Sequence, residues 1–254
     1  MKNKFKLNSS TLLVFILTTG VFGIINTEMG VIGILPLIAE NFQVTVPEAG
    51  WTVSIFALVV AISAPITPLL FSGINRKKVM ILALGLFTLS NIISMMTTNF
   101  TVLLISRALP AFLHPVYVSM AFTVAAASVS KEKAPKAVAK VFIGVSAGMV
   151  LGVPVTSYIA SEVSYSMGML FFTVVNALVL VATILFVPSM PVKEKLSYGT
   201  QLSVLKKKVV WYSILAITLI NGALFGFFSY MSDYLKTITG VSYTVISTML
   251  LIYG

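Results

Sequence analysis

From Thr11 to Pro36 the chain carries a single ionisable side chain, Glu28, in an otherwise apolar or small-residue run. The run exceeds the roughly 20 residues that a helix needs to cross a bilayer. Further apolar runs predict spans at 48–71, 79–98, 101–128, 138–160, 166–187 and 209–231, with the first at 10–36 and an eighth starting near Val241. Only 9% of the 254 residues are charged and 58% are hydrophobic, whereas soluble domains are about 25% charged. The chain therefore reads as an all-α polytopic membrane protein. Lys2, Lys4 and Lys6 ahead of an apolar stretch imitate a secretory signal. No small-x-small cleavage site follows and the apolar run is too long, so it reads as a retained first span.

The connections between spans sort by charge. Lys2, Lys4 and Lys6, Arg76 to Lys78, Lys131, Lys133, Lys136 and Lys140, and then Lys193, Lys195 and Lys206 to Lys208 all fall on one side. The other side holds Glu40, Glu48, Glu162, Asp233 and one base, Lys236. By the positive-inside rule the N-terminus is expected in the cytoplasm. The same rule accounts for the net charge of +10, so nucleic acid is not an expected partner. The chain has no cysteine and one histidine, which excludes disulfides and thiolate metal sites. It shows no phosphate loop or catalytic triad, so neither an enzyme, a cofactor nor a metal is expected.

The most polar connection suggests a division into a six-helix bundle at 1–190, a cytoplasmic linker at 191–208 and the start of a second bundle at 209–254. A shift of 195 residues sets Ile25-Asn26 on Ile220-Asn221 and Val46 on Val241, as a parallel repeat would. Under that register Gly254 falls opposite Val59, in mid-helix, and the second bundle is expected to break off in the eighth helix.

Glu28 is the first candidate for chemistry. A charge at a helix centre in lipid costs roughly 2.5–3.5 kcal/mol, so such a residue faces protein, water or a counter-charge, or carries a proton. The fourth span supplies Arg107 and, seven residues on, His114. Counting inward from the outer span ends puts Glu28 and Arg107 at nearly one depth, roughly 9–12 Å in. They are expected to face each other, directly or through water, across a polar cavity. His114 reads either as a hydrogen-bonded interior histidine or as a proton site. Asn26, Asn91, Asn176 and Asn221 are intramembrane amides expected to bond between helices. Gly144, Gly148 and Gly152 recur every fourth residue before Pro154; one face of small residues admits a neighbouring backbone, as a packing seam or as a seam along which helices slide. Pro154 is expected to bend that helix. Trp51 and Trp211 stand at span ends as interface anchors.

Together these segments resemble the major facilitator superfamily, and within it the drug:proton antiporter group of bacterial sugar, nucleoside and drug efflux proteins. N-T-E-M-G-V-I-G-I-L-P-L-I-A and V-P-E-A-G-W-T-V-S-I-F-A-L resemble the first two helices of arabinose and purine-nucleoside exporters. I-S-R-A-L-P-A-F-L-H resembles the fourth-helix arginine motif, and L-G-V-P the fifth-helix antiporter motif. The loop at P-L-L-F-S-G-I-N-R-K keeps Arg76 and Lys77 of the superfamily's cytoplasmic motif but has Ser72 where an aspartate is usual.

The resemblance implies a bundle of that superfamily's type, with a complete N-terminal half and about one and a half helices of the C-terminal half. It implies proton-coupled efflux of a sugar, nucleoside or drug by alternating access, in the inner membrane of a bacterial cell and as a monomer. A proton-coupled importer or facilitator, or a transporter fragment inactive by itself, are the alternatives. Glu28 would respond to protons, with Arg107 and His114 in coupling and gating. Asn26, Tyr117 and Asn221 would reach the substrate cavity.

Overall fold

The computed structural model describes residues 9–192 and 206–253, and among them every regular element is helical. The first span is built in three pieces: α1 (Ser9–Met29), a 3-10 segment (Gly30–Ile34) and α2 (Leu35–Phe42). After it come α3 (Val46–Ala49), α4 (Trp51–Ser63), α5 (Thr67–Leu70) and α6 (Arg76–Met96). The fourth span divides into α7 (Phe100–Ala111) and α8 (His114–Ala127), and α9 (Ala134–Glu162), α10 (Tyr165–Phe186), α11 (Lys208–Thr237) and α12 (Tyr243–Tyr253) complete the order. Seven helical runs are long and apolar enough to cross a membrane, and Tyr243–Ile252 is a shorter apolar helix. Lys2, Lys4, Lys6, Lys193 and Lys195, and most of the expected linker, lie outside the described residues.

Short polar loops with local caps separate the spans. Thr45 and Glu48 form a reciprocal capping box at α3, Asn75 caps α6, Asn99 caps α7 and Ser164 caps α10; each satisfies amides that the first helical turn leaves unpaired.

α1 is predominantly apolar and buried on most of its circumference, with Phe15 exposed. It is packed against α4, α6, α8, α9 and α10, and Leu17, Val21 and Ile24 are fully buried in the main core with Phe56, Phe87 and Tyr117. α12 rests on α9, where Ile246 and Leu250 share a smaller core with Val153, Ile32 and Phe228.

The end of the first span differs from the sequence reading. The first span does not stop at Pro36, because Pro36 occupies the first turn of α2, where no backbone N–H is needed, and the helix runs to Phe42. α9 continues through Pro154 to Glu162 as one helix.

Candidate functional site

The site starts from the end of α1. At Met29 the α-helical ladder gives way to the 3-10 segment, and the carbonyls before the change become open to outside donors. Arg107, only 2% exposed, fills that role. Its Nη1 donates to the Thr27 carbonyl at 2.6 Å, its Nη2 to the Glu28 carbonyl at 3.1 Å, and its Nε to the Thr52 carbonyl on α4 at 3.2 Å. The planar fork suits neighbouring acceptors in a way that a point charge does not. The guanidinium also lies 5.0 Å from the Phe56 ring centroid.

The expected carboxylate–guanidinium pair is therefore corrected. Arg107 does meet Glu28, but at its backbone. The Glu28 carboxylate turns instead to His114, with Oε2 3.1 Å from Nε2, close enough for an ion pair but without hydrogen-bond alignment. Both side chains keep some exposure, 15% for Glu28 and 12% for His114. The physical reason is the break in the fourth span. Pro110 and Pro115 flank the turn at Phe112-Leu113, and His114 opens α8 rather than continuing α7. His114 packs edge-on against Phe56, with ring centroids 5.8 Å apart, so this phenylalanine stands between imidazole and guanidinium.

Thr27 is where four helices converge. Its hydroxyl accepts from Asn91 of α6 at 3.2 Å and from Asn176 of α10 at 2.9 Å, while its carbonyl takes Arg107 of α7. Thr27, Thr52 and Phe56 were not singled out in the sequence. The signal for Thr27 was the pair of intramembrane asparagines, whose amides need acceptors inside the bundle.

The remaining candidates are scattered. Asn26 is buried against Gly152 on the α9 side, with neither amide atom hydrogen-bonded. Asn221 is exposed on α11 and donates to the Ile217 carbonyl of its own helix. Tyr117 is fully buried in the main core, its ring against Gly20 and its hydroxyl without a partner. The site residues expected at a substrate cavity thus lie in three places, because depth alone does not fix the direction in which a helical residue points. Removing the unbonded hydroxyl in Tyr117→Phe should raise stability by about 1 kcal/mol, seen as a higher melting temperature in detergent. A clear loss would show that the hydroxyl is bonded.

The glycine seam faces α1. A Cβ at Gly144 would fall on the Thr18 carbonyl, one at Gly148 would lie 2.8 Å from the Ile25 Cβ, and one at Gly152 would press on the Asn26 side chain. Pro154 is buried beyond them. Arg76 and Lys77 lie apart from this site. The Arg76 amide donates to the Met190 carbonyl at 3.1 Å, and Lys77 Nζ donates to the Ile184 carbonyl at 2.8 Å, a cation at the C-terminal end of α10. Asn75 joins the same contact through Ser189 at 2.8 Å. Ser72 bonds locally to the Leu69 carbonyl.

Comparison with known proteins matches residues 12–254 to the family model described as Major Facilitator Superfamily. The inner membrane transport protein YdhP of Escherichia coli strain K12 is 30% identical over 238 residues, which cover 94% of this chain and 61% of that protein. The uncharacterized MFS-type transporter YtbD of Bacillus subtilis strain 168 is 31% identical over 244 residues, covering 94% of this chain and 60% of that protein. Among solved structures, a bacterial homolog to the human lysosomal transporter Spinster, inward-facing and unoccupied, superposes with a TM-score of 0.75 at 17% identity. It covers 98% of this chain and 59% of that one. The chain thus spans about three-fifths of the length of these relatives.

Proposed function

The chain belongs to the major facilitator superfamily, and from that premise we propose that it serves proton-coupled efflux of a small molecule such as a sugar, nucleoside or drug. Residues 1–190 form the bundle that carries proton coupling, 191–208 a linker and 209–254 the start of a second bundle. The N-terminus faces the cytoplasm of a bacterial cell.

The single observation that carries this reading is the carboxylate–imidazole contact of Glu28 and His114 beside the break in the first span. The Glu28 carboxylate and the His114 imidazole lie 3.1 Å apart, and a change of charge inside a bilayer is costly enough to bias helix positions. Arg107 fixes the backbone next to Glu28, so that a proton at the carboxylate is felt at the junction of α1, α4 and α7. Alternating access then follows from tilting of these helices with the protonation state.

Proteoliposomes loaded with a pH-sensitive dye test the reading. Addition of nucleosides, pentoses or cationic dyes should produce a substrate-dependent proton flux, and Glu28→Gln should abolish it while the protein still inserts and melts cooperatively. Undiminished flux in Glu28→Gln would overturn the assignment.

A further inference from the structure

At the end of the bundle that carries the basic loops, the seam between α1 and α9 opens. Gly144 holds the two backbones together at Thr18. One turn nearer the start of α9 the Thr18 hydroxyl donates to the Lys140 carbonyl at 3.2 Å, and beyond that contact the two helices border a cleft of about 420 Å³. That volume falls in the range of small-ligand pockets. Lys133, Lys136 and Lys140 line it from the α9 side, and Ser10, Thr11 and Val14 line it from the first turns of α1.

Four observations describe its preferred occupant. Lys136 and Lys140 lie four apart on one face of α9, and Lys133 is its N-cap residue. Like charges at that spacing repel and weaken a helix, and an anion between them would remove that penalty. Among the described residues none of the three has an ion-pair partner, and no carboxylate lines the cleft. The opposite wall includes two hydroxyl-bearing residues, Ser10 and Thr11. Orientation by the positive-inside rule asks only for bases in a loop. It does not ask that three converge on one concavity.

We propose that this cleft binds a phosphate group, presented by the headgroup of an anionic phospholipid in the leaflet that the basic loops face. A tetrahedral anion with several acceptor oxygens matches the lysines and hydroxyl-bearing residues that line the cleft. Basic pockets between spanning helices recognise lipid phosphates in this way. The site is independent of Glu28 and of the transport reading.

The test uses the full chain in nanodiscs of phosphatidylcholine containing a minority of phosphatidylglycerol, with bound lipid counted by native mass spectrometry after release. The unaltered chain should retain phosphatidylglycerol in preference. Lys133→Gln, Lys136→Gln and Lys140→Gln together should lower that retention by at least about tenfold, and the three corresponding Lys→Arg changes should preserve it. The triple change Lys206→Gln, Lys207→Gln and Lys208→Gln removes equal charge elsewhere and should leave retention intact. Equal loss in that control, or no loss in the cleft variant, overturns the proposal. So does uptake of inorganic phosphate at millimolar concentration in discs of phosphatidylcholine alone, which would assign the cleft to the free ion. Should the triple variant not fold, Lys136→Gln alone decides between the same outcomes.

Discussion

Arg107→Ala is expected to destabilise the chain by about 3 kcal/mol, enough to lower the yield of monodisperse protein several-fold. Three carbonyls on two helices lose their donor at once, in an interior where water cannot easily replace it. Removing the side chain also leaves a void beside Phe56 and Thr27. Deleting a buried charge ordinarily relieves a desolvation cost, and this offsets part of the loss. The lost hydrogen bonds are still the larger effect, since they tie two helices to α7 at once. Arg107→Lys is the informative companion. An ammonium carries the same charge but cannot span the Thr27, Glu28 and Thr52 carbonyls with one planar fork. Thermal melting in detergent should therefore place Arg107→Lys near Arg107→Ala. A lysine variant that melts like the unaltered chain would show that charge, rather than fork geometry, matters here.

Gly144→Val should be still more disruptive. Even a methyl group at position 144 would fall on the Thr18 carbonyl and sit 3.3 Å from the Phe22 amide nitrogen. These are backbone atoms, so they cannot turn away as a side-chain tip would. Overpacking of this kind costs about 1–3 kcal/mol, occasionally more. We expect Gly144→Ala to lower the melting temperature and Gly144→Val to prevent the bundle from assembling. Gly85→Ala is the control. A Cβ there meets nothing within 4 Å, and alanine in a helix interior is favoured over glycine by about 1 kcal/mol. If both alanine variants raised the melting temperature, α1 and α9 could not be as close as described.

The fold was largely legible because spans and loop charges are one-dimensional signals. Apolar runs give the spans, but the depth of Glu28 was counted from Pro36, six residues short of the helix end at Phe42. Side-chain direction was not legible. A guanidinium at the level of Glu28 has both a carboxylate and freed carbonyls within reach, and only the change from α to 3-10 geometry at Met29 reveals the second set. The partner of His114 was hidden for a related reason. Treated as one continuous helix, the fourth span sets it two turns from Arg107, whereas the turn between Pro110 and Pro115 re-aims it at Glu28. Tyr117 shows the same limit from the other side. Its place three residues beyond His114 says nothing about the core it fills.

The seam between α1 and α9 has a mechanical meaning. Backbone meets backbone, or nearly so, at Gly144, Gly148 and Gly152, three anchor points spread over two helical turns. Sliding by a fraction of a turn would drive Ile25 and Asn26 out of their glycine notches and into larger neighbours such as Val145 and Met149. The two helices are therefore expected to move together, which a disulfide or spin-label pair across the seam would check. α12 leans on α9 at Val153. Any rocking of the first span would then carry α9 with it and be delivered, as a lever delivers it, to whatever α12 touches.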